Sequence, residues 1–293
     1  MVFRLLSYLP QQLLYGITGL LAYLAFKVYG YRMDVIRANI KSCFPEYSDA
    51  KVRETANAFA RQFSQILAEL IMAYRFTEED WNKRIHVEGA SELRAYWEEG
   101  KSVLLSYGHF ANWEWPLMSV PKRMGFKTEF LYHPLKNKAI NDVLLAIREK
   151  HGAMGLPKDK SLRHILSTRK ETKVIGLIND QLPAKGTEKR WLNFFGLETA
   201  FYVGLEKLAI ATQSPVFYLN LERVAKGEYR YILKEIAQPP YAKGDTGIIE
   251  AYARELEQNI KAQPENYLWS HKRWKYTRNQ NKEVLEQMKV KGR

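Results

Sequence analysis

From residue 101 onward, short apolar runs alternate with stretches of helical period, and this alternation most narrows the folds open to the chain. "KSVLLSY" (101–107), "FKTEFLYH" (126–133) and "KVIGLIND" (173–180) read as strands. A helix is predicted from about residue 111. "NKAINDVLLAIREKHG" reads as another, closed by Gly152, and residues 160–170 as a third. Residues 182–196 form a polar, glycine-containing loop without clear period, followed by a helix over about 200–213. "PVFYLNLER" and "EYRYILKEI" are two further strands, and "TGIIEAYARELEQNIKAQ" is an amphipathic helix capped by Thr246. Upstream, Ser48 opens a helix over 48–75, and "TEEDW" starts a further helical turn or loop. Such alternation builds an α/β fold over a mainly parallel or mixed sheet. No internal repeat, low-complexity tract or linker divides it.

Residues 5–26, "LLSYLPQQLLYGITGLLAYLAF", carry no charge. As a helix rising about 1.5 Å per residue, this run could cross a hydrocarbon core of roughly 30 Å. Pro10, Gln11, Gln12, Gly16 and Gly19 suit an interfacial or partly inserted helix equally, and a buried core helix is a third reading. A cleaved signal peptide fits poorly, since only Arg4 precedes the run and no small-x-small site follows. Lys27, Arg32, Arg37 and Lys41 come next, which places the body of the protein in the cytoplasm by the positive-inside rule. The division expected is a membrane-associated N-terminal helix over residues 1–30 and one domain over 31–293.

Charge narrows the partners. The chain has 45 Lys+Arg against 32 Asp+Glu, a net +13, which calls for an anionic partner: nucleic acid, a membrane surface, a phosphorylated substrate or an acidic carrier protein. The single Cys43 excludes an intrachain disulfide and fits a reducing compartment. Residues 271–293 hold eight Lys/Arg against Glu283 and Glu286, with Trp269 and Trp274 beside the start of the run, as expected near a membrane interface. A solvated basic helix is the plainer alternative.

Chemistry concentrates in "VLLSYGHFANWEW" (103–115). Ligands of α/β sheets gather beyond the carboxyl ends of strands, so His109 after one strand and Asp180 at the end of another share an edge. His109 and Glu114 are five residues apart, about 140° around a regular helix, so within one helix they cannot meet. With His109 in the turn before the helix, Glu114 can reach it. A neutral imidazole there, favoured by the positive helix end, could accept a proton while the carboxylate fixes its tautomer. Such a pair has no nucleophile of its own and suits attack by a substrate hydroxyl on an activated acyl group. Ser106 lacks a Gly-x-Ser-x-Gly setting. His133, His151 and His164 are too scattered for a metal site, and His271 suits a folding role or an anionic contact better than catalysis.

"GHFANWE" resembles the His-x4-Glu motif of the bacterial lipid A biosynthesis acyltransferases, which add secondary acyl chains. Three other stretches carry the same resemblance in the same order: "YRMDVIRANIKSCFPEYS" (31–48), "INDQLPAKG" with "NFFGLETAFYVGLEKLA", and "PENYLWSHKRWK" (264–275). The resemblance implies a glycerolphosphate-acyltransferase-like αβα sandwich with a mixed sheet, associated with the cytoplasmic face of the inner membrane. It implies transfer of a fatty acyl chain from an acyl carrier protein thioester to a hydroxyl of a lipid A precursor, with no metal and no further cofactor. Carried over by position, His109 is the general base and Glu114 its partner. Asn112 sits inside the motif and supports its geometry, Arg148, Asp180 and Gln181 match polar positions that line the site, and all four are expected to serve substrate binding. "FGLETAF" departs from the family in lacking a Pro-Ala-Thr or Ala-Ala-Thr run, which leaves the acyl pocket and its chain-length preference undefined. The rival readings are acyl transfer to another glycolipid or aminolipid, and a non-catalytic membrane-surface or nucleic-acid-binding protein.

Overall fold

The computed structural model describes residues 2–281, so the last part of the basic C-terminal run, 282–293, lies outside the described residues. The first helices are α1 (Val2–Leu6), α2 (Gln11–Ala22), α3 (Met33–Cys43), α4 (Asp49–Ala73) and α5 (Glu78–Arg84). Ser48 accepts the Lys51 N–H and starts α4 as predicted, and "TEEDW" forms α5 behind a reciprocal cap between Thr77 and Asp80. The uncharged run is not one straight helix. It is α1, α2 and a π-helical segment, Tyr23–Val28. Leu14 of α2 packs against Ala68, Ile71 and Met72 of α4, while Leu13, Ile17, Leu20 and Leu21 stay exposed. Among the described residues no single helix is long and apolar enough to cross a membrane. The arrangement that comes nearest pairs Gln11–Val28 with Met33–Cys43 across an 82° bend.

The remaining elements run β1 (Ile85–Glu88), α6 (Ala90–Glu98), β2 (Val103–Tyr107), α7 (Trp115–Met124), β3 (Thr128–Tyr132), α8 (Lys138–Glu149), β4 (Met154–Pro157), α9 (Lys158–Ser167), β5 (Val174–Ile178), β6 (Lys189–Phe194), β7 (Leu197–Tyr202), α10 (Gly204–Thr212), β8 (Val216–Ala225), β9 (Glu228–Ala237) and α11 (Gly247–Ala262). Seven strands form one sheet in the order β1-β9-β8-β2-β5-β3-β4, parallel at every pairing except the β8–β9 hairpin. The α/β reading with a mixed sheet therefore holds. β2 is central and buried at every residue, as a strand covered on both faces requires.

Several local expectations change. Residues 189–202 are not loop and helix but the separate hairpin β6–β7, so α10 begins at Gly204. Thr246 precedes α11 without any side-chain cap bond. Trp269 is core and not interface: it is fully buried, and its indole N–H donates to the Pro264 carbonyl at 2.6 Å. Trp274 is partly buried, donating to the Thr199 hydroxyl at 2.8 Å.

Candidate active site

Parallel pairing assembles the site. β2 and β5 run in register with Tyr107 beside Ile178, so the residues just past each strand, Gly108–His109 and Asn179–Asp180, emerge side by side. A Cβ at Gly108 would meet a methyl of the buried Leu256 at 2.4 Å, so a larger residue there would require that side chain to shift. Asp180 then closes on the histidine with both oxygens. Oδ2 accepts the His109 backbone N–H at 2.9 Å, and Oδ1 bonds the ring Nδ1 at 2.6 Å.

This corrects the expected pairing. The carboxylate on the His109 ring belongs to Asp180, and no hydrogen bond joins His109 to Glu114 among the described residues. The physical reason is the shape of the motif. α7 starts only at Trp115, and residues 108–114 form an irregular loop with Ala111 in the left-handed region at φ 49°. A C-terminal stretch pins that loop. The Leu268 N–H donates to the His109 carbonyl at 3.0 Å, the Ala111 N–H to the Asn266 carbonyl at 2.9 Å, and Phe110 bridges Tyr267. Held this way, Glu114 turns to α8 and takes Arg148 in a two-pronged ion pair at 2.7 and 2.6 Å.

The electrostatics follow from this geometry. Asp180 is 2% exposed, and burial alone would push its carboxyl up. The facing His109 charge, its two hydrogen bonds and the nearby Arg273 outweigh that and hold it below the usual range. An ionised Asp180 can only accept, so Nδ1 carries a proton, and in the neutral form of the ring the lone pair is on Nε2. The Gln181 amide nitrogen stands 3.3 Å from Nε2, and the Trp113 ring meets the imidazole edge-on with centroids 5.5 Å apart. The arrangement fixes the tautomer of a neutral ring and turns Nε2 toward the Gln181 amide.

The other predicted residues divide in two. Asp180 and Gln181 reach His109; Arg148 reaches Glu114. Asn112 does not line the site. It is 1% exposed, its side-chain oxygen accepts the Trp115 N–H at 3.2 Å, and its amide donates to Glu69 at 2.7 Å. Glu69 is a buried acid that also accepts from Tyr229 at 2.6 Å and from Tyr15 of α2 at 3.1 Å. Sequence reading passed over it, although an acid inside the apolar stretch "LAELIMA" is itself a signal. Ser106 is buried and donates to the Leu177 carbonyl, and His151 and His164 are locally bonded to the Ala73 carbonyl and to Glu129. His271 accepts the Leu182 N–H through Nε2 at 3.0 Å, and burial first, with the Arg273 charge, pushes it down from 6.5 to about 4. No group of three or more His, Cys, Asp or Glu placed to hold a metal occurs among the described residues.

Fold and site together define an α/β protein that carries a carboxylate-braced histidine at the carboxyl ends of its central parallel strands. Residues 1–276 match the family described as bacterial lipid A biosynthesis acyltransferase, and the chain belongs to that family. It is similar to the lipid A biosynthesis palmitoleoyltransferase of Escherichia coli (strain K12), with 24% identity over 252 residues, 83% of this chain and 79% of that protein. A lipid A biosynthesis acyltransferase of Shigella flexneri matches with the same identity and coverage.

Proposed function

We propose that this protein transfers a fatty acyl chain from an acyl carrier protein thioester to a hydroxyl of a lipid A precursor, at the cytoplasmic face of the inner membrane. The observation that carries the reading is the Asp180 carboxylate on Nδ1 and on the backbone N–H of His109, which leaves Nε2 as the proton acceptor. As the acceptor hydroxyl oxygen bonds to the thioester carbonyl carbon, Nε2 takes its proton and Asp180 stabilises the imidazolium. Collapse of the tetrahedral intermediate breaks the C–S bond, and the departing thiolate takes the proton back from the imidazolium. Arg148, paired with Glu114 at 2.6 and 2.7 Å, is the candidate cation for the oxyanion or for an anionic substrate group.

Two surface features support the partners. Exposed Leu13, Ile17, Leu20, Leu21 and Leu24 give the N-terminal helices an unpartnered apolar face suited to lipid. A surface concavity of about 280 Å³ lined by Arg37, Lys41, Arg53 and Asp49, with the net charge of +13, suits anionic partners. The test is mass spectrometry of a lipid A precursor incubated with acyl carrier protein thioester and the purified protein. A product heavier by one acyl chain, absent with His109→Ala, is the expected result. An unaltered acceptor with a folded, membrane-bound wild type refutes the proposal.

A further inference from the structure

Glu69 is a buried acid that the acyl-transfer chemistry leaves unused, and it holds two parts of the molecule at once. It lies on α4 and is 0% exposed. Its Oε1 accepts the Tyr15 hydroxyl of α2 at 3.1 Å. Its Oε2 accepts the Asn112 amide at 2.7 Å and the Tyr229 hydroxyl at 2.6 Å. Its backbone carbonyl accepts the Trp115 indole N–H at 3.2 Å. Asn112 and Trp115 belong to the stretch that carries His109, so one side chain joins the N-terminal helix to the His109 loop.

The contacts on each side define what this bridge connects. On the loop side, the Asn112 oxygen accepts the Trp115 backbone N–H at 3.2 Å, where α7 begins. On the helix side, the Lys226 ammonium covers the Tyr15 ring at 3.9 Å, and a Cβ on Gly227 would meet the Tyr15 hydroxyl at 2.9 Å. The turn between β8 and β9 thus closes over Tyr15 while its hydroxyl reaches Glu69. At about 100° per residue, Tyr15 falls on the side of α2 away from the exposed Leu13, Ile17, Leu20 and Leu21. Exposed Arg4 and Lys27 flank that apolar face in the chain, a charge pattern that suits an anionic lipid surface.

Lipid covering the outer face stabilises α2 as a helix and keeps Tyr15 presented to Glu69. If α2 lifts, Oε1 loses its donor in a dry interior. The carboxyl can then recover a partner only by turning, which draws Oε2 away from Asn112. We propose that Glu69 is a positioning residue through which lipid seated on α2 orders the His109 loop. By linkage the effect is reciprocal: an ordered loop favours the lipid-bound helix. The inference rests on the reading of α2 as lipid-facing and His109 as the reacting histidine, and its main readout needs neither substrate nor turnover.

That readout is hydrogen–deuterium exchange of the full chain, with and without vesicles of phosphatidylethanolamine and phosphatidylglycerol. The reporters are the backbone N–H groups of His109, Ala111 and Trp115, each a donor within the loop's own network. In the wild type, vesicles are expected to slow exchange in α2 and, by about fivefold, the worth of one hydrogen bond, over residues 108–115. Tyr15→Phe removes only the hydroxyl, so α2 stays protected and the slowing over 108–115 disappears. Tyr15→Met replaces it if thermal melting shows the Phe variant unfolded. Gln11→Ala is the control. It cuts another tether of α2, the Arg84 bond to the Gln11 oxygen at 3.2 Å, which does not lead to the loop, and it should keep the full slowing. Where acyl transfer is measured, vesicles should raise kcat about fivefold in the wild type and in Gln11→Ala but not in Tyr15→Phe, with KM for the thioester unchanged. Vesicles that leave α2 or residues 108–115 unprotected in the wild type overturn the coupling. So does a folded Tyr15→Phe that retains the slowing, or a Gln11→Ala that loses it equally. Wild-type protein that transfers no acyl chain overturns the functional reading instead, and the exchange profile still decides on Glu69.

Discussion

Asp180→Asn is the sharpest perturbation of the site. Two donors, the backbone N–H and the ring Nδ1–H of His109, face the two carboxylate oxygens at 2.9 and 2.6 Å. An amide offers one oxygen and one NH2, so one donor must face another donor. The ring escapes by moving its proton to Nε2, where it can no longer accept one. Even without that tautomer change, the imidazolium loses a carboxylate whose charge centre lies about 4 Å away. At an effective dielectric of about 20 such a pair is worth about 4 kcal/mol. If that stabilisation is realised mainly in the transition state, the loss is about a thousandfold in rate. The assay is single-turnover acyl transfer at saturating substrate, beside a melting curve for fold. Asp180→Asn that keeps more than a tenth of the wild-type rate, while Glu114→Gln falls a thousandfold, would refute the reasoning and return Glu114 to the histidine.

Other expectations follow from neighbouring contacts. Glu114→Gln breaks a largely buried ion pair and strands Arg148, so calorimetry should show a loss of about 3 kcal/mol in stability; an unchanged melting temperature would mean that Arg148 finds another partner. Asn112→Ala leaves Glu69 one donor short and removes the side-chain acceptor at the start of α7, at a cost of about 1–3 kcal/mol by denaturant titration. An effect below a few tenths would deny it a structural role. His271 has its folded value lowered to about 4 from 6.5, so the unfolded chain binds the proton first. Stability should therefore be full above about 6.5 and fall as the pH drops toward 4. His271→Gln, which keeps an acceptor for the Leu182 N–H, should flatten that slope, and an unchanged slope would assign it to other groups.

The strand–helix alternation was legible because buried parallel strands write themselves as continuous apolar runs, as β2 and β5 do. The β6–β7 hairpin was not, since its strands are half-buried and leave no clean alternation. The site divides along the same line. That His109 and Asp180 share an edge could be read from the ends of two strands. Which carboxylate holds the ring could not, because spacing along the chain describes only local geometry. The pairing of Tyr107 with Ile178 and the clamp from residues 266–268 are long-range contacts, and they delay α7 and redirect Glu114.

The clamp has a consequence for synthesis. Chains emerge from the ribosome amino end first, and the backbone partners of the His109 loop are encoded more than 150 residues later. The sheet can collapse while the His109 loop still lacks these partners, so the geometry of the site is expected to be completed only after residues 266–268 have been translated. Order in the His109 loop therefore follows translation of residues 266–268.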